Sequence, residues 1–218
     1  MPLPPLVRPV SVTPYLACSP VIACTHPAIR SRARELIRGT STEYEQIQCL
    51  YTYVRDGISH SVDAGQSRLV WKTPQVMAAG HALCVIKSHL FVSLCRSVGI
   101  PAGLCYQRLK KEDGTYVLHG LAAVWIEDDG RWIRLDPRGN KPGVDAQFNP
   151  DGTEQIAYPE MEDQGEWLDP YIYSEPWDAV IHLLQVSSDV PSFISATAQI
   201  HSPPRHAHRP SSSLPIPV

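Results

Sequence analysis

Apolar residues recur at three- and four-residue steps most clearly where Ile86, Leu90, Phe91, Leu94 and Val98 follow one another, and this spacing predicts a helix over 84–98 with those side chains on one buried face. Gly99 can take the left-handed terminal conformation and Pro101 cannot continue a helix, so the element stops at Val98. The same criterion predicts two earlier helices. One spans about 27–38 and is closed by Gly39; its arginines at 30, 32, 34 and 38 read as a solvated face. The other spans about 42–56, opens on a capping box from Thr42 to Glu45, and carries Tyr44, Ile47, Leu50, Tyr51 and Val54 on one side. After Pro101 the period shortens to two. Residues 102–109, 116–127 and 131–136 predict antiparallel strands, with turn signals at Asp113-Gly114 and Asp129-Gly130. Val117, His119, Leu121, Ala123 and Trp125 share one face of the middle strand, the face expected to cover the 84–98 helix. Past Phe148, Gly, Pro and Asp mark loop until a short helix near 177–186.

These elements describe an α+β domain over 26–187, in which N-terminal helices pack on an antiparallel sheet. An extended segment, 1–25, precedes it. Beyond Ser187, Ser, Pro, His and Ala without sustained apolar period predict a flexible tail over 188–218. With 218 residues, 43% of them hydrophobic, the chain can bury one full core. A formal net charge of -3 argues against a nucleic-acid binder, and no stretch approaches the roughly 20 apolar residues of a membrane span. The six cysteines are irregularly spaced, three of them in predicted helices, and prolines with Arg8 interrupt any signal-peptide core near the start. Free thiols in a reducing, cytoplasmic compartment are therefore expected, without disulfides. No spacing suggests a metal site, and no cofactor is expected; His201, His206 and His208 fall in the predicted tail.

One cysteine stands apart. Cys84 opens the 84–98 helix, where unpaired backbone N–H groups and the positive end of the helix dipole stabilise a thiolate. His119 follows on a strand and Asp136 at the end of another, the order of a thiol nucleophile, its base and an orienting carboxylate. Cys49, Cys95 and Cys105 read as inert packing. Alone, His119 would read as a core histidine and Asp136-Pro137 as a strand end; the ordered set gives them a chemical sense. Register constrains it: a tight Asp129-Gly130 hairpin would put Asp136 opposite Ala123, roughly 13 Å along the strand from His119. A wider turn or a bulge at Gly130 is therefore expected.

The segment Gly80 to Cys84, the continuation Lys87-Ser88-His89-Leu90, the exit Gly99-Ile100-Pro101-Ala102, Leu118-His119-Gly120 and Trp132 to Asp136 together resemble the transglutaminase-like superfamily of cysteine enzymes. His26 to Ile29 and Tyr51 to Ile58 resemble its lead-in helices, and Arg138 to Lys141 through Gln147-Phe148 a stand-alone bacterial branch, so the resemblance covers about 10–186. It implies a papain-like fold with Cys84 as nucleophile, His119 as general base and acid, and Asp136 as the group orienting His119. Ala82 stands where the family usually has glycine, and its methyl is a candidate for crowding substrate. Gln66 and Trp71 lie upstream, but neither is assigned as a side-chain oxyanion donor; the Cys84 backbone N–H is expected to serve. The expected activity is cysteine-dependent acyl transfer through a thioester, with hydrolysis of a peptide, protein or small amide substrate favoured over transfer to an amine. A non-catalytic binding module and an arylamine acetyltransferase are the alternatives.

Overall fold

The computed structural model describes residues 3–159 and 165–204. Helices α1 (Pro27–Leu36), α2 (Glu43–Gly57) and α3 (Thr73–Ala79) pack around α4 (Cys84–Ser97), whose other side meets the sheet. The two-residue strands β1 (Ser59–His60) and β2 (His81–Ala82) pair in parallel beside the start of α4. Strands β3 (Ala102–Lys110), β4 (Tyr116–Ile126) and β5 (Arg131–Leu135) follow. After the small pair β6 (Gln147–Phe148) and β7 (Glu154–Gln155), strand β8 (Trp167–Leu168) completes an antiparallel sheet of order β5-β4-β3-β8. Helices α5 (Asp178–Val186) and α6 (Val190–Thr197) come last.

The helix starts are specified locally. Thr42 Oγ1 accepts from the Glu45 N–H, and Glu45 reaches back to the Thr42 N–H, the predicted capping box. Gly80, left-handed at φ 72°, ends α3 and turns the chain into β2 four residues before Cys84. Helix α4 differs from the one-sided pattern read in its sequence, because every residue from Cys84 to Arg96 is buried. Enclosed by helices and sheet, its polar side chains need internal partners. Ser88 and Ser93 donate to the carbonyls of Cys84 and His89, and the Lys87 ammonium donates to the carbonyls of Arg55 (3.1 Å) and Ile58 at the end of α2.

The β4 face was expected the other way round. Leu118, Ala122, Val124 and Ile126 join the core that contains α4, whereas Leu121 and Ala123 pack on the far side of the sheet with Tyr15, Cys105 and Ile172. Gly120 explains the choice: a Cβ there would lie 2.4 Å from Val85 Cα, so the helix start rests on a strand position without a side chain.

Both chain ends also depart from expectation. Near the start, Tyr15 is buried, with its hydroxyl donating to the Ile172 carbonyl at 2.8 Å. A disulfide joins Cys18 and Cys24, against the expected absence of cystine. The tail predicted from 188 onward contains α6, whose Val190 and Phe193 are buried in the main core. The Val190 N–H donates to the Ser67 carbonyl at 2.8 Å, and Trp167 Nε1 donates to the His201 carbonyl at 3.0 Å. The rest of that predicted tail, 205–218, with His206 and His208, lies outside the described residues. Among the described residues, no helix is long and apolar enough to cross a membrane.

Candidate active site

Cys84 is the first residue of α4, its N-cap residue Leu83 is extended, and no side chain caps the helix. The thiol therefore sits at the positive end of the helix dipole, where a negative charge is favoured. His119 and Asp136 reach it through the β4–β5 hairpin. The strands pair Ala122 with Leu135 and Ile126 with Arg131, around a four-residue turn over 127–130 that has Gly130 at φ 60°. This is wider than the tight Asp129-Gly130 turn and carries Asp136 across from Leu121, two residues from His119 on the same face. That diagonal is within reach of an imidazole and a carboxylate.

His119 Nε2 and Asp136 Oδ2 are 2.8 Å apart, both side chains buried. Asp136 also accepts from the Ala157 N–H (Oδ2, 2.9 Å) and the Arg138 N–H (Oδ1, 3.1 Å), and its own carbonyl accepts from the Tyr51 hydroxyl at 3.0 Å. Burial alone would raise the Asp136 pKa, but His119 and these two N–H donors outweigh it, and the carboxyl is held below its ordinary value. Burial would likewise keep His119 neutral; Asp136 and the Cys84 thiolate overcome this and push its pKa up to about 10. The Tyr158 ring stands edge-on to His119, with centroids 5.3 Å apart.

With Nε2 engaged by Asp136, Nδ1 is the ring nitrogen left for the thiol. Burial opposes ionisation of Cys84, but the charge and hydrogen bonding of His119, joined by His60, bring its pKa well below that of an ordinary thiol. The comparison with its neighbours is direct. Cys95 and Cys105 are free and buried, and burial raises both. Cys84 and His119 thus favour a thiolate–imidazolium pair.

The pair opens on a cleft of about 960 Å³ whose lining includes Arg138, Lys141 and, from α6, Phe193 and Ile194. Ala82 is buried in the main core, so its methyl does not narrow the cleft. Gln66 and Trp71 do not line it. His60 does, although nothing local in the sequence marks it: β1 is too short for any periodicity to announce, and its pairing with β2, His60 opposite Ala82, brings it to the cleft beside Cys84.

A family model described as the transglutaminase-like superfamily matches residues 30–137, which include α4, β3, β4, β5 and all three of Cys84, His119 and Asp136. No curated protein matches the chain. Among solved structures, similarity extends to a Cytophaga hutchinsonii protein proposed to be a cysteine protease, with a TM-score of 0.48 and 17% identity over 69% of this chain and 47% of that one. The periplasmic domain of TgpA from Pseudomonas aeruginosa gives a TM-score of 0.44 and 18% identity, over 60% of this chain and 48% of that one. A structure described as a TGase gives 0.42 and 19%, over 67% of this chain and 43% of that one. The chain thus spans under half the length of each of these three proteins. Residues 30–137 belong to the transglutaminase-like superfamily, and the fold is α+β.

Proposed function

We propose that the protein is a cysteine-dependent acyl-transfer enzyme that hydrolyses amide bonds through a thioester on Cys84. The Cys84 thiolate adds to the amide carbonyl carbon, and the carbonyl π electrons move to oxygen. Collapse of this tetrahedral adduct breaks the carbon–nitrogen bond, and the amine leaves with the proton held on His119. Neutral His119 then takes a proton from water as the oxygen attacks the thioester, and the second collapse releases a carboxylic acid and restores the thiolate. Asp136 keeps the imidazole oriented and stabilises its charge in both half-reactions.

The observation that carries this reading is the 2.8 Å His119–Asp136 contact buried beside a thiol at a helix N-terminus, within one cleft. An amine replacing water would make the same thioester the donor in a transglutaminase-type transfer, and the substrate can be a peptide, a protein or a small amide. The binding-module alternative drew its support from Ala82, whose methyl is in the core. The Cys18–Cys24 disulfide favours a compartment more oxidising than the expected cytoplasm. Turnover of an amide and peptide library, with and without an added primary amine, tests the proposal against Cys84→Ala. Release of amine by the intact protein and none by the variant supports it; equal release by both overturns it.

A further inference from the structure

One imidazole beside the thiol has no place in the relay from Asp136 through His119. His60 borders the same cleft as Cys84, and its proximity is one of the causes that hold the Cys84 pKa down. Its backbone is fixed on both sides: the Ser59 N–H donates to the Gly80 carbonyl (2.9 Å) and the Ser61 N–H to the Ala82 carbonyl (3.0 Å). Lys87, one turn into α4, ties down the carbonyl of Ile58 just before it. The position of His60 is therefore set by the same helix and strand that set Cys84.

Its ring is anchored differently from that of His119. Nδ1 lies 3.7 Å from Asp63 Oδ2, beyond hydrogen-bond length. Asp63 is already occupied by Arg138 at 2.8 Å and Lys141 at 3.1 Å. The carboxylate that would hold a second charged base is thus shared between two cations. His119 has a carboxylate in direct contact and needs no second base. What addition of the thiolate creates is a negative oxygen, and the Cys84 N–H is a single backbone donor toward it.

We infer that His60 is the side-chain oxyanion donor of this site, its ring N–H hydrogen-bonding to the oxygen that becomes negative when Cys84 adds to a substrate carbonyl. The inference rests on the acyl-transfer reading above. No proton changes hands at His60: the π pair moves to oxygen, the N–H···O⁻ hydrogen bond holds it there, and collapse returns the pair to the carbonyl while the leaving group departs.

Two reactions of the same thiol separate this role from others. Iodoacetamide alkylates Cys84 by displacement at a saturated carbon, with no oxyanion, whereas p-nitrophenyl acetate acylates it through one. In the full-length protein, with both reactions read on the alkaline plateau where the Cys84 thiolate is fully formed in either protein, His60→Ala should slow acylation about 100-fold, the size expected for one lost donor, while alkylation stays within about threefold. His60→Gln, which keeps an N–H and a similar length, should recover part of the acylation rate and guards against a variant that fails to fold. Equal loss in both reactions would overturn the inference by making His60 a tuner of the thiol, and loss in neither would overturn it by making His60 a bystander. Absence of acylation at wild-type Cys84 would instead bring down the acyl-transfer reading itself.

Discussion

Alanine in place of Gly120 probes how Cys84 is held against His119. A Cβ at Gly120 would stand 2.4 Å from Val85 Cα and 3.0 Å from both Val85 N and Val85 Cγ2. Two of these are backbone atoms, in the residue next to Cys84, and Gly120 itself is next to His119. Ordinary contact begins near 3.4 Å, so the helix start and the strand must part by about 1 Å. Whichever moves carries one of the two reacting side chains with it. Overpacking of this kind costs about 1–3 kcal/mol, which lowers the melting temperature of a chain this size by roughly 2–12 °C. Separating nucleophile and base by ~1 Å costs on the order of 100-fold in turnover. Thermal melting and amide turnover per folded molecule measure the two effects. Gly103→Ala is the control, because a Cβ there meets Ile172 Cγ2 at 2.4 Å and the Tyr15 ring at 2.9 Å, on the opposite side of the sheet. It should lose stability and keep the reactivity of Cys84. A Gly120→Ala protein with wild-type melting and wild-type turnover would refute the close packing of α4 on β4 as the element that aligns the site.

Asp136→Asn should cost turnover and stability together: three donors converge on the carboxylate, and an amide must turn its NH₂ toward one of them, a mismatch of about 1–3 kcal/mol seen in denaturant melts. Lys87→Met leaves the part-buried carbonyl of Arg55 and the buried carbonyl of Ile58 without their ammonium and should destabilise by about 2–5 kcal/mol. Burial pushes the Lys87 pKa down to about 7, so between there and the ordinary lysine value the unfolded chain binds the extra proton; the stability advantage of wild type over Lys87→Met should therefore grow from pH 7 to pH 10. Ending the chain at Ser188 exposes the sites of Val190 and Phe193, and at about 1.5–3 kcal/mol for each side chain should lower stability by roughly 3–6 kcal/mol, read by the denaturation midpoint.

The helix at 84–98 and the three strands after it are plain in the sequence because each is long enough for its period to repeat. The site residues are plain for a related reason: a thiol at a helix start, a histidine within an apolar strand and an aspartate at a strand end each carry a local mark. Alternation along β4 said which residues share a face but not which face meets α4. Gly120 held that information, since only the side without a side chain admits the helix so closely. His60 depends on a two-residue parallel pairing that brings 60 to 82 across a helix and a loop, and nothing local encodes it. The Cys18–Cys24 bridge also lies in a segment without period, where pairing follows from the chain path alone. Helix α6 is a different case. Asp189 and Ser192 form a capping box, and Val190, Phe193 and Thr197 fall at helical spacing, but the Ser-, Pro- and His-rich composition around them outweighed eight residues of pattern.

The rate of Cys84 alkylation by iodoacetamide as a function of pH, followed by peptide mapping, bears most directly on the proposed nucleophile. His119, joined by His60, holds the Cys84 pKa down, so its thiolate persists where an ordinary thiol is protonated and is lost only as pH falls through that lowered value; the imidazolium partner is lost as pH rises through about 10. Cys84 should therefore react across neutral pH faster than the half-buried Cys49, with an acid limb well below the roughly 8.5 of a free thiol, and His119→Ala should move that limb upward. A Cys84 rate that climbs only through the free-thiol range, unchanged by His119→Ala, would contradict an activated nucleophile at this site.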